Sequence, residues 1–231
     1  MLAHRGANRV APENSLAAFE RALAMGADGV ELDVHRSADG ALVVHHDALA
    51  PGLGLLAELP LATIRAARPD LPTLDEALDV CAGRVVNVEI KNSPGDPDHD
   101  PAEVAADLVV GMLQARRRRD DVLVSSFSPA TVERVHALDA AIPTALLTAR
   151  TTELVALLEL VHERGHRALN PRVHALVGGR AARLAARARA LGLELYVWTV
   201  NEERQLRRLA DAGVHAVITD VPDVARRVLG P

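Results

Sequence analysis

Cysteine is almost absent from this chain of 231 residues. Cys81 stands alone, so no internal disulfide can form, and its apolar flanks suit a buried filler better than a nucleophile. No apolar run approaches the roughly 18 residues a membrane span requires, which excludes stable membrane insertion. The opening Met1-Leu2-Ala3-His4-Arg5 has neither the charged nor the apolar region of a signal peptide, and a cytoplasmic protein is expected. Concentrated positive charge is missing as well: net charge is -5 and the Lys and Arg residues are scattered, so nucleic acid is not an expected partner. Arg116-Arg117-Arg118-Arg119 is the one basic run, and it reads as a solvated helix end. No segment is wholly polar, and 49% of the residues are hydrophobic; residues 1–231 are expected to bury one core as one domain.

What the chain does have is alternation. Short apolar, β-branched runs near residues 2–4, 29–35, 85–91, 122–127, 144–148, 168–171, 193–199 and 216–220 read as strands. Longer runs of helical period lie between and after them, at 15–25, 73–81, 102–118, 129–138, 153–164, 180–191, 202–212 and 222–229. Eight strands each followed by a helix predict an α/β fold, a (β/α)8 TIM barrel. One interruption follows the second strand, where Ser37-Ala38-Asp39-Gly40 reads as a tight turn and residues 41–46 as a short extended hairpin segment carrying His46 across the barrel mouth. The Pro-, Asp- and Gly-rich stretch 92–101 follows a strand and is expected as a loop on the catalytic face.

Glu31 and Asp33 lie two apart in an apolar strand, so both carboxylates point to one face, and Glu89 and Lys91 repeat that spacing on the next strand. Carboxylates gathered inside a barrel repel one another and lose hydration, so they call for a compensating cation. Ligation by oxygen alone is hard, which puts Mg2+, Ca2+ or Mn2+ ahead of Zn2+. The same charges would also suit a network that merely pairs with Lys91, Arg5 or Arg36. His4 ends the first strand and His46 the returning segment, a placement suited to general acid and base catalysis near neutral pH. Their neighbour His45 faces the other way. Arg5 and Lys91 offer fixed positive charge for a phosphate, the first as a planar fork and the second as a point charge. Aromatic residues are only 2% of the chain, yet Phe127 and Trp198 both fall at carboxyl ends of strands; Trp198 reads as an apolar wall for substrate, while Phe127 is equally consistent with core.

Several ordered strings carry a resemblance: His4-Arg5-Gly6-Ala7, Pro12-Glu13-Asn14-Ser15, Gly26-Ala27-Asp28-Gly29-Val30-Glu31-Leu32-Asp33-Val34 and Asp39-Gly40-Ala41-Leu42-Val43-Val44-His45-His46-Asp47. Asn87-Val88-Glu89-Ile90-Lys91, Ser125-Ser126-Phe127-Ser128, Val197-Trp198-Thr199-Val200-Asn201 and the stretch from Gly213 to Pro222 follow in order. Together they resemble the glycerophosphodiester phosphodiesterase family over nearly the whole chain. The resemblance implies a barrel in which Glu31, Asp33 and Glu89 hold Mg2+ or Ca2+ (or Mn2+) and His4 and His46 do acid-base chemistry. It further implies that Arg5 and Lys91 bind phosphate and that Trp198 lies near the alcohol pocket. The implied reaction is metal-dependent hydrolysis of a small-molecule glycerophosphodiester to sn-glycerol 3-phosphate and an alcohol such as choline or ethanolamine, through a cyclic phosphate. Asn14 and Ser15 are expected to cap the first helix, and Glu13 to play a supporting part.

Two positions depart from the family pattern. Residues 48–54 are apolar and uncharged where the family commonly carries an Arg and a Thr-rich segment, and His215 replaces the Asp of a Gly-Val-Asp string. Three other readings compete. A lyase-like relative would stop at the cyclic phosphate, and a phosphate-ligand-binding barrel would have lost catalysis. Metal amidohydrolases also use this barrel, but they need His-x-His on a strand, and none occurs near the first.

Overall fold

The computed structural model describes residues 1–117 and 121–230. Eight parallel strands close into a barrel in the order β1 (Leu2–His4), β2 (Gly29–Arg36), β6 (Val85–Ile90), β7 (Val122–Ser126), β8 (Thr144–Thr148), β9 (Ala168–Pro171), β10 (Glu194–Val197) and β11 (Ala216–Thr219). The first strand seals the ring by pairing with β2 on one side and β11 on the other. This is the expected TIM barrel. The hairpin segment is β3 (Leu42–Val44), antiparallel to β2 through Val34↔Val44, and Gly40 supplies the turn at φ 82°. Beyond it, β4 (Leu49–Ala50) and β5 (Gly54–Leu55) form a small antiparallel pair.

Around the barrel, among the described residues, run α1 (Leu16–Ala24), α2 (Leu61–Ala67), α3 (Leu74–Val80), α4 (Val104–Arg116), α5 (Pro129–Leu138), α6 (Leu154–Glu163), α7 (Arg180–Ala190), α8 (Glu203–Asp211) and α9 (Pro222–Leu229). Local chemistry sets several starts. Ser15 caps α1 by accepting from the Ala18 N–H, Thr73 and Glu76 form a reciprocal capping box on α3, and Ser128 caps α5 ahead of Pro129. None of these helices is long and apolar enough to cross a membrane.

Outward-facing strand residues pack against the helices in two clusters, one built on β2, β6 and α1, α3, α4, the other on β9–β11 and α6–α9. A third cluster, Leu2, Leu123, Ala145, Ala168, Tyr196 and Ile218, fills the barrel itself with one residue from each of six strands. It forms a floor beneath the carboxyl-terminal rim of the barrel. Gly6 turns the chain out of β1 at φ 79°, and a Cβ there would lie 2.7 Å from the Ala18 backbone, so only glycine fits this join between β1 and α1. The basic run does end a helix: Arg116, the last residue of α4, is partly exposed and clamps Asp75 and Asp79 of α3, Arg117 after it is exposed, and Arg118 and Arg119 lie outside the described residues.

Candidate active site

Neighbouring strands β2 and β6 bring Glu31, Asp33 and Glu89 together, beside His4 at the end of β1. Adjacent register pairs, His4↔Glu31 and Asp33↔Glu89, put the side chains on one interior rung after another. All three are at least 94% buried, and one oxygen from each lies within 4.8 Å of the others. Fixed cations reach in from two sides. Lys91 Nζ sits 2.9 Å from Asp33 Oδ1 and 2.6 Å from Glu89 Oε1, while Arg5 Nε lies 3.2 Å from Asp33 Oδ2. The pairing network is therefore present, with Lys91 and Arg5 as members; Arg36 turns away to Asp100. Arg5 also donates twice to Glu13, at 3.0 and 3.1 Å, which gives that residue its supporting part.

Three buried carboxylates outnumber those two cations, and the proton affinities reflect it. Burial and the neighbouring Asp33 push Glu31 up to about 8, and the same two causes raise Glu89 against the pull of Lys91. Burial works against ionised Asp33 too, but Lys91 and Arg5 outweigh it and hold that carboxyl below its ordinary value. A cluster that retains protons near neutrality is short of positive charge. Its donors are hard oxygens at mutual distances a single ion can bridge, so the residues fit Mg2+ or Ca2+.

His4 and His46 border the same cavity, together with Asn87, Phe127 and Trp198. Each ring has its Nδ1 on a carboxylate: His4 on Asp220 at 2.6 Å, His46 on Asp47 at 2.7 Å. That leaves Nε2 as the free nitrogen of His4. Burial disfavours the charged His4 ring, but the Asp220 hydrogen bond and the charge of Glu31 prevail, and its pKa lies above the usual histidine value. For His46 burial prevails, helped by Lys91 and Arg5 against Asp33, and its pKa is lowered. Two histidines in one cavity are thus pushed in opposite directions. His45 borders neither this cavity nor the outer cleft of about 410 Å³ that adjoins it at His46, Glu89, Lys91 and Phe127.

Trp198 and Phe127 meet edge to face, with ring centroids 5.5 Å apart, and both wall the cavity, so Phe127 belongs with the cavity rather than the core clusters. Asn14 corrects its expectation. Ser15 alone caps α1, and Asn14, at φ 56° and 2% exposed, instead donates to Asp33 Oδ2 at 2.8 Å and accepts from the Asp33 N–H at 3.3 Å. His215 stands at the opposite rim, beside Tyr196. Asp220, unassigned in the sequence reading, is the hub of the His4 side: Asn8 and Asn201 donate to it at 2.8 and 2.6 Å. The signal for it was its position directly after the last strand of a ring that must close on β1. His35 was missed too, although it continues the series Glu31, Asp33 at the same two-residue spacing.

The model of the glycerophosphoryl diester phosphodiesterase family matches residues 4–224. A glycerophosphodiester phosphodiesterase of Caldanaerobacter subterraneus subsp. tengcongensis is 29% identical, the match covering 96% of this chain and 94% of that protein. A probable glycerophosphodiester phosphodiesterase 2 of Mycobacterium tuberculosis is 31% identical over 99% of this chain and 89% of its own. Among solved structures, an Oleispira antarctica phosphodiesterase in complex with the product sn-glycerol-3-phosphate superposes with a TM-score of 0.85 at 26% identity, covering 99% of this chain and 95% of that one.

Proposed function

The chain belongs to the glycerophosphoryl diester phosphodiesterase family, and on that premise we propose that it hydrolyses small glycerophosphodiesters to sn-glycerol 3-phosphate and a free alcohol, choline or ethanolamine among them. The observation that carries this reading is convergence: Glu31 and Glu89, two fixed cations and two carboxylate-tethered histidines line one cavity, and Asp33 lies grouped with the two glutamates just behind it. The Oleispira relative's complex with sn-glycerol-3-phosphate supports the product. The working unit is the whole barrel, residues 1–231, acting on a small molecule without nucleic acid or membrane.

Glu31, Asp33 and Glu89 would hold the divalent cation, Mg2+ or Ca2+. When bound, it supplies Lewis acidity to a phosphoryl oxygen. Arg5 and Lys91 face the same cavity and balance the phosphate's charge. His46, with its lowered pKa, is neutral near pH 7 and takes the proton of the glycerol 2-hydroxyl as that oxygen attacks phosphorus. His4, with its raised pKa, is the better proton donor of the two and passes a proton to the departing alcohol oxygen. The tethered hydroxyl avoids much of the entropy of recruiting a nucleophile. In the second half the roles exchange: His4 takes a proton from water, water attacks the cyclic phosphate, and His46 returns its proton to the glycerol oxygen. Phe127 and Trp198 form the apolar wall against which substrate rests.

The test is glycerol 3-phosphate release from glycerophosphocholine and glycerophosphoethanolamine by the purified protein, with Mg2+, Ca2+ or Mn2+ and with chelator. Metal-dependent release is expected, together with its loss in His46→Ala at unchanged cation affinity. Cyclic phosphate as the end product would make the enzyme a lyase. No turnover by a folded protein with any of these cations would overturn the reading.

A further inference from the structure

We propose that His35 and Asp98 are positioning residues that hold His46 in register over the carboxylates, an inference that rests on the acid-base role assigned to His46. His35 Nδ1 lies 2.6 Å from Asp98 Oδ2, and its Nε2 lies 3.2 Å from the backbone oxygen of His46. The carbonyl can only accept, so Nε2 is a donor there, and the ring bridges the hairpin carbonyl and the loop carboxyl. The side chains of His35 and Asp98 are 2% and 3% exposed, and His35 borders the outer cleft with His46.

The need for such a brace follows from the backbone. Pairing of β2 with β3 ends at Val34↔Val44, and one further bond, from the His45 N–H to the Asp33 oxygen at 3.1 Å, carries the strand a single step on. Past that point, among the described residues, no strand N–H meets the carbonyl of His46, and the His35 ring takes the place of the ladder. Asp98 gives the ring a fixed anchor because its own loop is tied. Asn92, 2% exposed, accepts from the Asp100 N–H at 2.7 Å and donates to the Asp100 oxygen at 2.9 Å, and Asp96 accepts from the Ser93 N–H at 2.7 Å. The three-part chain His46, His35, Asp98 therefore joins the catalytic hairpin to β2 and to the rigid loop after β6. A buried pair of this kind seldom stabilises a fold more than apolar side chains of similar volume, so its contribution is geometric. Among the described residues one oxygen of Asp98 has no hydrogen-bond partner, a cost that packing alone does not offset.

Two double variants separate position from stability. His35→Leu with Asp98→Leu removes both hydrogen bonds while filling the volume. His35→Gln with Asp98→Asn keeps a donor to the His46 carbonyl and a hydrogen bond between the pair, without charge. The leucine pair is expected to fold, to bind Mg2+ in calorimetry with wild-type affinity, to keep KM, and to lose about 100-fold in kcat, the scale of a misplaced catalytic group. The Gln/Asn pair is expected to recover most of that loss, to within about fivefold of wild type. Wild-type kcat in the leucine pair, equal losses in both pairs, or a loss confined to Mg2+ affinity would overturn the proposal. If the leucine pair does not fold, the Gln/Asn pair decides alone: a folded, Mg2+-binding protein that has lost kcat as fully as His46→Ala overturns it. His46→Ala, assayed alongside, keeps the two ideas apart, because turnover surviving in that variant would sink the role of His46 itself.

Discussion

Two layers of the barrel interior lie two residues apart on the same strands, and the upper one is far more polar. The lower layer, with Leu2, Leu123, Ala145, Ala168, Tyr196 and Ile218, is apolar and packed. One step of the pleat higher, β1 offers His4, β7 Ser125, β8 Leu147 and β9 Asn170, with Trp198 just after β10 and Asp220 just after β11. Asn170 is fully buried with neither side-chain amide atom hydrogen-bonded, and Asn87 Oδ1 is likewise without a partner. The lower layer thus stabilises the barrel, and the upper layer holds desolvated polar groups that the lower one must support. Position along the strand, more than residue chemistry, separates stability from function.

Glu31→Gln should break the comparison most visibly. Turnover with Mg2+ or Ca2+ is expected to fall by at least about 1,000-fold, as a ligand charge is lost from the transition state's main source of compensation. The chelated variant should melt above the chelated parent, because a buried carboxylate under repulsion has been neutralised. Paired assays of turnover and thermal unfolding read both; a chelated variant that melts lower would mean the cluster is structural. The lower layer should answer in the opposite sense. Leu123→Ala, at a site 3% exposed, is expected to lose about 2–5 kcal/mol in urea unfolding while the folded fraction keeps its kcat.

A pH series on metal-free protein sharpens the same contrast. The Glu31 carboxyl is pushed up to about 8 when folded from its ordinary value of 4.5 in the unfolded chain, and Glu89 is raised with it, so between those values the folded state binds more protons than the unfolded chain. Stability is therefore full below about pH 4.5 as far as this cluster is concerned, and it falls as pH rises through about 8. The expected slope is about 1.4 kcal/mol per pH unit for one proton. Saturating Mg2+ should flatten it, since the cation takes the place of the proton. A slope unchanged by Mg2+ in chemical denaturation would rule out ligation by these carboxylates.

Much of this was legible beforehand, and for stated reasons. Strands buried on both faces read as continuous apolar runs, so Thr144–Thr148 and Ala168–Pro171 were found to the residue. The helix Leu61–Ala67 escaped because it has only seven residues and starts after Pro60 with no side-chain cap. Glu31, Asp33, Glu89 and Lys91 came from strand parity, which is local. Asp220 and Asp98 did not, because their partners lie 216 and 63 residues away, and only barrel closure and a tied loop bring them near. Asn14 was misread because its residue type suits a cap; its backbone at φ 56° sends the side chain to Asp33 instead.

Asp220→Asn gives the smallest expected effect and tests the upper layer at a single hydrogen bond. Burial opposes the charge on Asp220, but donors from His4 and Asn8 prevail and keep its pKa well below the carboxylate range, so it is ionised wherever the enzyme works. Asparagine can still accept from His4 Nδ1 at its oxygen, so ring orientation and tautomer survive while the negative charge does not. The His4 pKa should then fall toward or below the ordinary value, since burial is no longer outweighed to the same degree. With less His4 protonated at neutral pH, turnover is expected to drop by about 10- to 100-fold, and the basic limb of the kcat/KM profile should move to lower pH. A second consequence has the opposite sign. A carboxyl whose folded pKa is depressed contributes stability above its unfolded value of 3.8 and loses it as pH falls through the folded one, so the variant should be less sensitive to acid than the parent. A basic limb that stays in place would mean that His4 is not the proton donor, whatever happens to the rate.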